Sequence, residues 1–193
     1  GWDSDSINAP YVCKLLEDVG MQAISIHGRT RAQGYSGEAD WDVIDECAQT
    51  VSIPVIGNGD ISTGEDVENR KKNTAVSGVM IGRAAMQHPW VFKEAKHYLE
   101  TGTHLPEVTV EERWDLIFRH AQMLVDWGKF PKEKFAMQAM RSRLMAYSRG
   151  LRLGKKLRVR FSTVEKVAEL YDVRDEYMTW LGNETDARPV AVA

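Results

Sequence analysis

Three short apolar runs in this chain each end in a polar, glycine-containing signature whose residue types suit the binding of an anion. Ile24-Ser25-Ile26 leads into His27-Gly28-Arg29-Thr30-Arg31, and Ile53-Pro54-Val55-Ile56 leads into Gly57-Asn58-Gly59-Asp60-Ile61. Val79-Met80-Ile81 leads into Gly82-Arg83-Ala84-Ala85. Gly59 and Gly82 let backbone approach a ligand closely, so the N–H groups of Asn58, Gly59, Asp60 and Gly82 are candidate donors to a phosphate. Arg83 would add a charge-assisted contact to the same group. Asn58-Gly59 on its own also fits a two-residue hairpin turn. Helical spacing follows it here, which favours a strand-to-helix loop.

Segments of helical spacing separate the three runs, and this alternation predicts an α/β fold with a parallel sheet, its reactive groups at the C-terminal strand ends. The expected strands are Gln22 to Ile26, a second ending at Gly57, and Gly78 to Ile81. Asn8 is placed to cap a helix over Ala9–Asp18, with Pro10 in its first turn and Gly20 beyond its end. Asp40 should cap a helix to about Gln49. A polar helix is expected from Gly64 to Lys72, and another from Pro89 to near Gly102.

Beyond Gly102 the pattern becomes wholly helical. Thr109 and Glu112 form a capping box ahead of a helix to about Trp127, and Trp114, Ile117, Phe118, Ala121, Leu124 and Val125 share one face. Pro131 opens a helix to about Arg149. Ser162 and Glu165 suggest a second capping box, with helices to about Tyr171 and then from Asp175 to Leu181. Residues 1–103 are thus expected to be a strand/helix unit, 104–183 a small all-α helical bundle, and 184–193 a disordered tail. Three parallel strands leave both outer strands unpaired, whereas a closed barrel of eight such units takes about 250 residues. The expected architecture is therefore the last three β/α units of a TIM barrel followed by a helical bundle, with self-association expected to cover the open edge.

Composition narrows the class further. The 193 residues are 43% hydrophobic and 27% charged, near the values of a globular domain, and no apolar run approaches the length of a membrane span. No signal-peptide pattern opens the chain, so a cytoplasmic setting is expected. Cys13 and Cys47 fall inside predicted helices without metal-ligand spacing, and read as buried thiols rather than as a disulfide or a metal site. The net charge of -3 hides a segregation: eight basic and no acidic residues lie between Arg141 and Arg160, against 17 basic and 28 acidic elsewhere. Such a block is either a solvated helix face or a footprint for a polyanion such as nucleic acid.

At these motifs the chain resembles the tRNA-dihydrouridine synthases. The resemblance rests on His27-Gly28-Arg29-Thr30-Arg31, Gln33-Gly34-Tyr35-Ser36-Gly37, Ala39-Asp40-Trp41, and the segments 53–61 and 79–85. Met140-Arg141 and Tyr147-Ser148-Arg149-Gly150 extend it through the helical part. It implies a flavin enzyme that reduces uridine to 5,6-dihydrouridine in tRNA, with FMN as cofactor and NADPH as electron donor. His27 would lie beside the flavin, although a lone histidine at a strand end is more often a packed structural residue. Asn58, Gly59, Asp60, Gly82 and Arg83 would hold the FMN phosphate. Arg29 and Arg31, at the rim, and Arg141 and Arg149, on one helix, would contact RNA. Tyr147 reads as a core residue.

The family's general acid is a cysteine within Asn-x-Gly-Cys-Pro, a pattern absent from these 193 residues, so no catalytic residue is assigned. The chain alone is expected to be inactive and to retain FMN weakly. The rival readings are a non-catalytic tRNA-binding module and another FMN barrel oxidoreductase.

Overall fold

The computed structural model describes residues 1–186. Among these the chain divides into two compact units, with the division after Pro106.

In the first unit, apolar residues at the start of each strand run give a three-stranded parallel sheet. Its strands are β1 (Ile24–His27), β2 (Val55–Asn58) and β3 (Gly78–Met80), in the order β1-β2-β3. Ile24 pairs with Val55 and His27 with Asn58, while Ile56 pairs with Gly78 and Asn58 with Met80. This register brings the three polar signatures to the same end of the sheet. The connections are α1 (Ala9–Asp18) before β1, α2 (Trp41–Thr50) between β1 and β2, and α3 (Gly64–Asn73) between β2 and β3. After β3 come a short α4 (Arg83–Gln87) and α5 (Val91–Thr101), closed by left-handed Gly102. Helix α1 packs on α2, and α3 on α5.

Local chemistry explains the boundaries. The Asp40 carboxylate accepts from the Val43 N–H, and Thr63 with Asp66 forms a reciprocal capping box at α3. Asn8 sits at the N-cap of α1 but its side chain makes no capping bond; Pro10 starts that helix instead. Helix α4 had no counterpart in the sequence reading, because five residues are too few to show a period. Glu17 on α1 accepts from the N–H and Oγ of Ser52 at 2.7 and 2.6 Å, which ties that helix to the loop entering β2.

Two clusters make the core of this unit. Trp41, Ile44, Val55, Ile61, Val67 and Val76 form one, and Cys13, Ile24 and Cys47 the other. Both cysteines are free and buried. Burial, followed by the hydrogen bond to Cys13, pushes the Cys47 thiol up to about 12. Gly57 is obligatory in β2, since a Cβ there would lie 2.5 Å from the Trp41 ring.

The described part of the second unit comprises α6 (Val110–Asp126), α7 (Glu133–Tyr147), α8 (Gly154–Phe161) and α9 (Val167–Asp186). Thr109 and Glu112 make the expected reciprocal cap. Trp114, Ile117, Met137, Met140, Leu144, Leu157, Phe161, Leu170 and Tyr177 fill the core. Tyr147 belongs to it, 3% exposed, with its hydroxyl 2.8 Å from Nδ1 of His120.

Three expectations are corrected here. Residues 154–161, assigned no element between the helix expected to end near Arg149 and the cap expected at Ser162, form α8, and Ser162 closes that helix with Oγ donating to Val159 O instead of opening the next. The break expected between Tyr171 and Asp175 is absent: Leu170, Val173 and Tyr177 bury one continuous face, so α9 is a single helix. It continues through Asp186, beyond the expected start of the tail at 184; residues 187–193 lie outside the described residues.

Candidate cofactor site at the strand ends

Each strand ends by turning its chain across the C-terminal edge of the sheet, and the three loops enclose a cleft of about 950 Å³. Its lining includes His27, Arg29, Arg31, Asn58, Gly59, Asp60, Gly82 and Arg83, so eight of the ten residues singled out from the sequence meet in one place. Arg141 and Arg149 lie in the second unit.

The loop after β2 carries the sharpest backbone geometry. Gly59 has φ +145°, and a Cβ on it would collide with the Ala39 side chain. Asp60 follows at φ +51°, in the left-handed region that Asp tolerates better than most residues. The Trp41 indole N–H holds this turn by donating to Gly59 O at 3.0 Å. No described protein atom accepts from the N–H groups of Gly59, Asp60 or Gly82. Gly82 is open as well: a Cβ there would meet nothing nearer than Asn58 Oδ1 at 3.9 Å. His27, paired with Asn58, is exposed on the cleft wall, with Cε1 3.8 Å from where a Gly59 Cβ would stand. The Asn58 amide nitrogen lies 3.3 Å from Met80 Sδ, linking the second and third strand ends.

Arg29 departs from its expected place at the rim, because its side chain is 2% exposed. Nη2 lies 2.8 Å from each carboxylate oxygen of Asp60 and 2.7 Å from Gly37 O. Nη1 is buried and donates to no described group. The Asp60 carboxylate also accepts from the Ala39 N–H at 2.8 Å and from Arg83 at 3.3 Å. Burial raises its pKa, but hydrogen bonds from Arg29 and Ala39, with the charges of Arg29 and Arg83, outweigh that and hold it below the usual carboxylate value. Arg83 is half exposed and lies over the Tyr35 ring at 4.5 Å. Arg31 is exposed, with its guanidinium 5.9 Å from the Trp2 ring.

Two features of this site escaped the sequence reading. The Asp60 carboxylate joins all three loops, a role beyond the N–H donor that its sequence position suggests. Tyr35, 72% exposed, forms the platform for Arg83. Neither had a local signal, because in both cases the partners come from different strand-end loops.

In the second unit, Arg149 lies beyond α7, which ends at Tyr147, and is exposed. Arg141 is on α7, half-buried, with a buried Nε that has no partner among the described residues. Several of the eight basic side chains between 141 and 160 are engaged within the fold. Arg158 donates to Ser148 Oγ at 3.2 Å, Arg160 pairs with Glu176 at 2.7 Å, and Lys156 stands 3.8 Å over Trp180.

The donor set of the cleft suits an anion such as a phosphate group. Open amides at a left-handed turn, an adjacent glycine without steric cover and a half-exposed arginine supply the donors. Among the described residues no group of three or more His, Cys, Asp or Glu is placed to hold a metal ion, and no helix is long and apolar enough to cross a membrane.

The chain is similar to tRNA-dihydrouridine synthase B of Pseudomonas aeruginosa, 37% identical over 186 residues, covering 96% of this chain and 55% of that protein. It is 46% identical to tRNA-dihydrouridine synthase B of Vibrio vulnificus over 124 residues, 64% of this chain and 38% of that protein. A probable tRNA-dihydrouridine synthase of Rickettsia bellii is 38% identical over 151 residues, 78% of this chain and 45% of that protein. The chain thus spans about half the length of the curated relatives it matches. The family model described as dihydrouridine synthase (Dus) matches residues 1–180, and with its motifs gathered around one cleft the chain belongs to the dihydrouridine synthase family.

Proposed function

We propose that this chain is part of a tRNA-dihydrouridine synthase acting on tRNA in the cytoplasm, in which residues 1–103 supply the last three β/α units of an FMN-binding barrel. Residues 104–183 form its tRNA-binding helical domain. The observation that carries this reading is the convergence of the three strand-end signatures on one cleft with uncommitted backbone donors. FMN, when bound and reduced by NADPH, would supply a hydride to one carbon of the uracil double bond, and a proton delivered to the other carbon would complete the reduction.

The chain's own residues bind and orient. Gly59, Asp60 and Gly82 offer N–H groups to the phosphate, Arg83 adds its charge, and His27 donates toward the ring system from the strand end. Asn58 holds the second loop against the third. Arg31 at the mouth meets the RNA backbone. The uridine must leave its stack to reach such a cleft, as in other base-modifying enzymes.

Neither cysteine of this chain is placed to protonate the second uracil carbon. Cys13 and Cys47 are both buried in helices away from the cleft lining, and the Asn-x-Gly-Cys-Pro pattern is absent. The purified chain is therefore expected to carry less than stoichiometric flavin and to form no dihydrouridine from a tRNA transcript with NADPH. Adding the preceding half of the Pseudomonas aeruginosa relative should restore both. Stoichiometric yellow flavin on the chain alone would refute the weak retention, and no gain on complementation would refute the barrel reading. The same lack of a placed acid favours one other reading, a tRNA-binding module without catalysis, which predicts tRNA affinity and no turnover under every condition.

A further inference from the structure

Two arginines and one carboxylate meet at the cleft, and their charges do not serve the same purpose. Asp60 stands in the cleft-lining loop whose Gly59 and Asp60 N–H groups have no described acceptor, where an uncompensated carboxylate would repel any phosphate offered to those amides. Its neighbour Arg83 is half exposed, contacts it through one nitrogen at 3.3 Å, and lies over Tyr35. Arg29 is 2% exposed and keeps Nη2 within 2.8 Å of both Asp60 oxygens. We propose that Arg29 is a positioning residue for anion binding: it neutralises Asp60 from inside the fold, leaving the charge of Arg83 available to a phosphate in the cleft.

This inference rests on the phosphate reading of the cleft given above. Arg29 is buried against a carboxylate that is one-third exposed, so solvent screens the pair on the Asp60 side only, and at 2.8 Å the attraction remains appreciable. With Arg29 present the trio carries a net charge of +1, with the excess on the exposed guanidinium. Without Arg29 the sum falls to zero, and Arg83 is drawn onto Asp60. The carboxylate accepts from Ala39 N–H on the loop side in either case, so it stays beside the amides. A loss of anion affinity from removing Arg29 should therefore be undone by removing the charge on Asp60. Asparagine suits this purpose, since it tolerates the φ of +51° at that position.

The test is titration of the chain with inorganic phosphate, following the amide NMR signals of Gly59 and Gly82. Wild type is expected to shift both signals at millimolar phosphate. Arg29→Met should weaken binding about tenfold, and Asp60→Asn alone should bind at least as well as wild type. The double variant should return to within about threefold of wild type. The single variant at Asp60 keeps the proposal testable if Arg29→Met fails to fold, because a loss of phosphate affinity in Asp60→Asn overturns it. Failure of the double variant to recover also overturns it, showing that Arg29 acts by packing or through its own Nη1. If wild type shows no phosphate-dependent shift, the phosphate reading of the cleft itself falls. If wild type and Arg29→Met bind alike, the phosphate reading stands and only the role of Arg29 is lost.

Discussion

Glu17 shows how much one side chain contributes to placing an element. It accepts from Lys14 on its own helix and from Ser52 N–H and Oγ on the loop entering β2. The hydrogen bond from Lys14 comes first, then those from Ser52, and together they hold its pKa at about 2, from a reference of 4.5. A carboxyl with a depressed native pKa stabilises the fold above its unfolded value and loses that contribution as pH falls through the native value. Glu17→Gln should therefore lower the melting temperature at neutral pH. The gap to wild type should close between about pH 4.5 and 2 in a pH series of thermal melts. A gap that does not change with pH would mean that Glu17 works by packing alone. The same scale marks the limit of sequence reading at the cleft. The glycines, His27 and Arg83 announced themselves through type and spacing, but the burial of Arg29 depends on Asp60, which sits in another loop. No local pattern encodes that pairing, and a loop arginine without a visible partner reads as solvated.

At the level of elements, two similar signals had opposite outcomes. Thr109 with Glu112 and Ser162 with Glu165 both match the capping-box spacing, and only the first forms one. The difference lies in what precedes each. Residues 104–108 form no helix that could claim Thr109, whereas Leu157 and Phe161 bury an apolar face that carries α8 up to Ser162. Tertiary burial overrides a local cap. The same force joins what sequence divides in α9, where one helix is expected to end near Tyr171 and another to start at Asp175, but a buried stripe of Leu170, Val173 and Tyr177 runs across the join. Proline inside a continuous helix removes a hydrogen bond and costs about 3 kcal/mol. Asp172→Pro should thus destabilise the chain by about that amount in urea denaturation, with a loss of helical circular dichroism. A cost under about 1 kcal/mol would show that the helix tolerates a break there.

The whole molecule separates its charges along the chain. The segment 141–160 holds eight basic and no acidic residues, while the remaining residues are acidic overall. Arg160 is paired with Glu176 and Arg158 reaches Ser148, so the number of cations in sequence overstates those facing outward. Arg149 is exposed beyond the end of α7 and is the better candidate for a phosphate contact than half-buried Arg141. Arg149→Glu should weaken tRNA binding and reduce the slope of log affinity against log salt by about one. Arg141→Glu should instead lower thermal stability first, because it places a carboxylate where a guanidinium Nε is buried. Unchanged affinity in the Arg149 variant across a salt series would remove this surface from the binding site.

The buried Cys13 and Cys47 give the first unit a chemical stopwatch. A thiol pushed up to about 12 is almost wholly protonated at neutral pH, and alkylating reagents attack the thiolate. Modification of Cys47 must therefore wait for α1 and α2 to part, as burial alone requires of Cys13, so the pace of labelling counts how often that layer breathes, with no probe added to the protein.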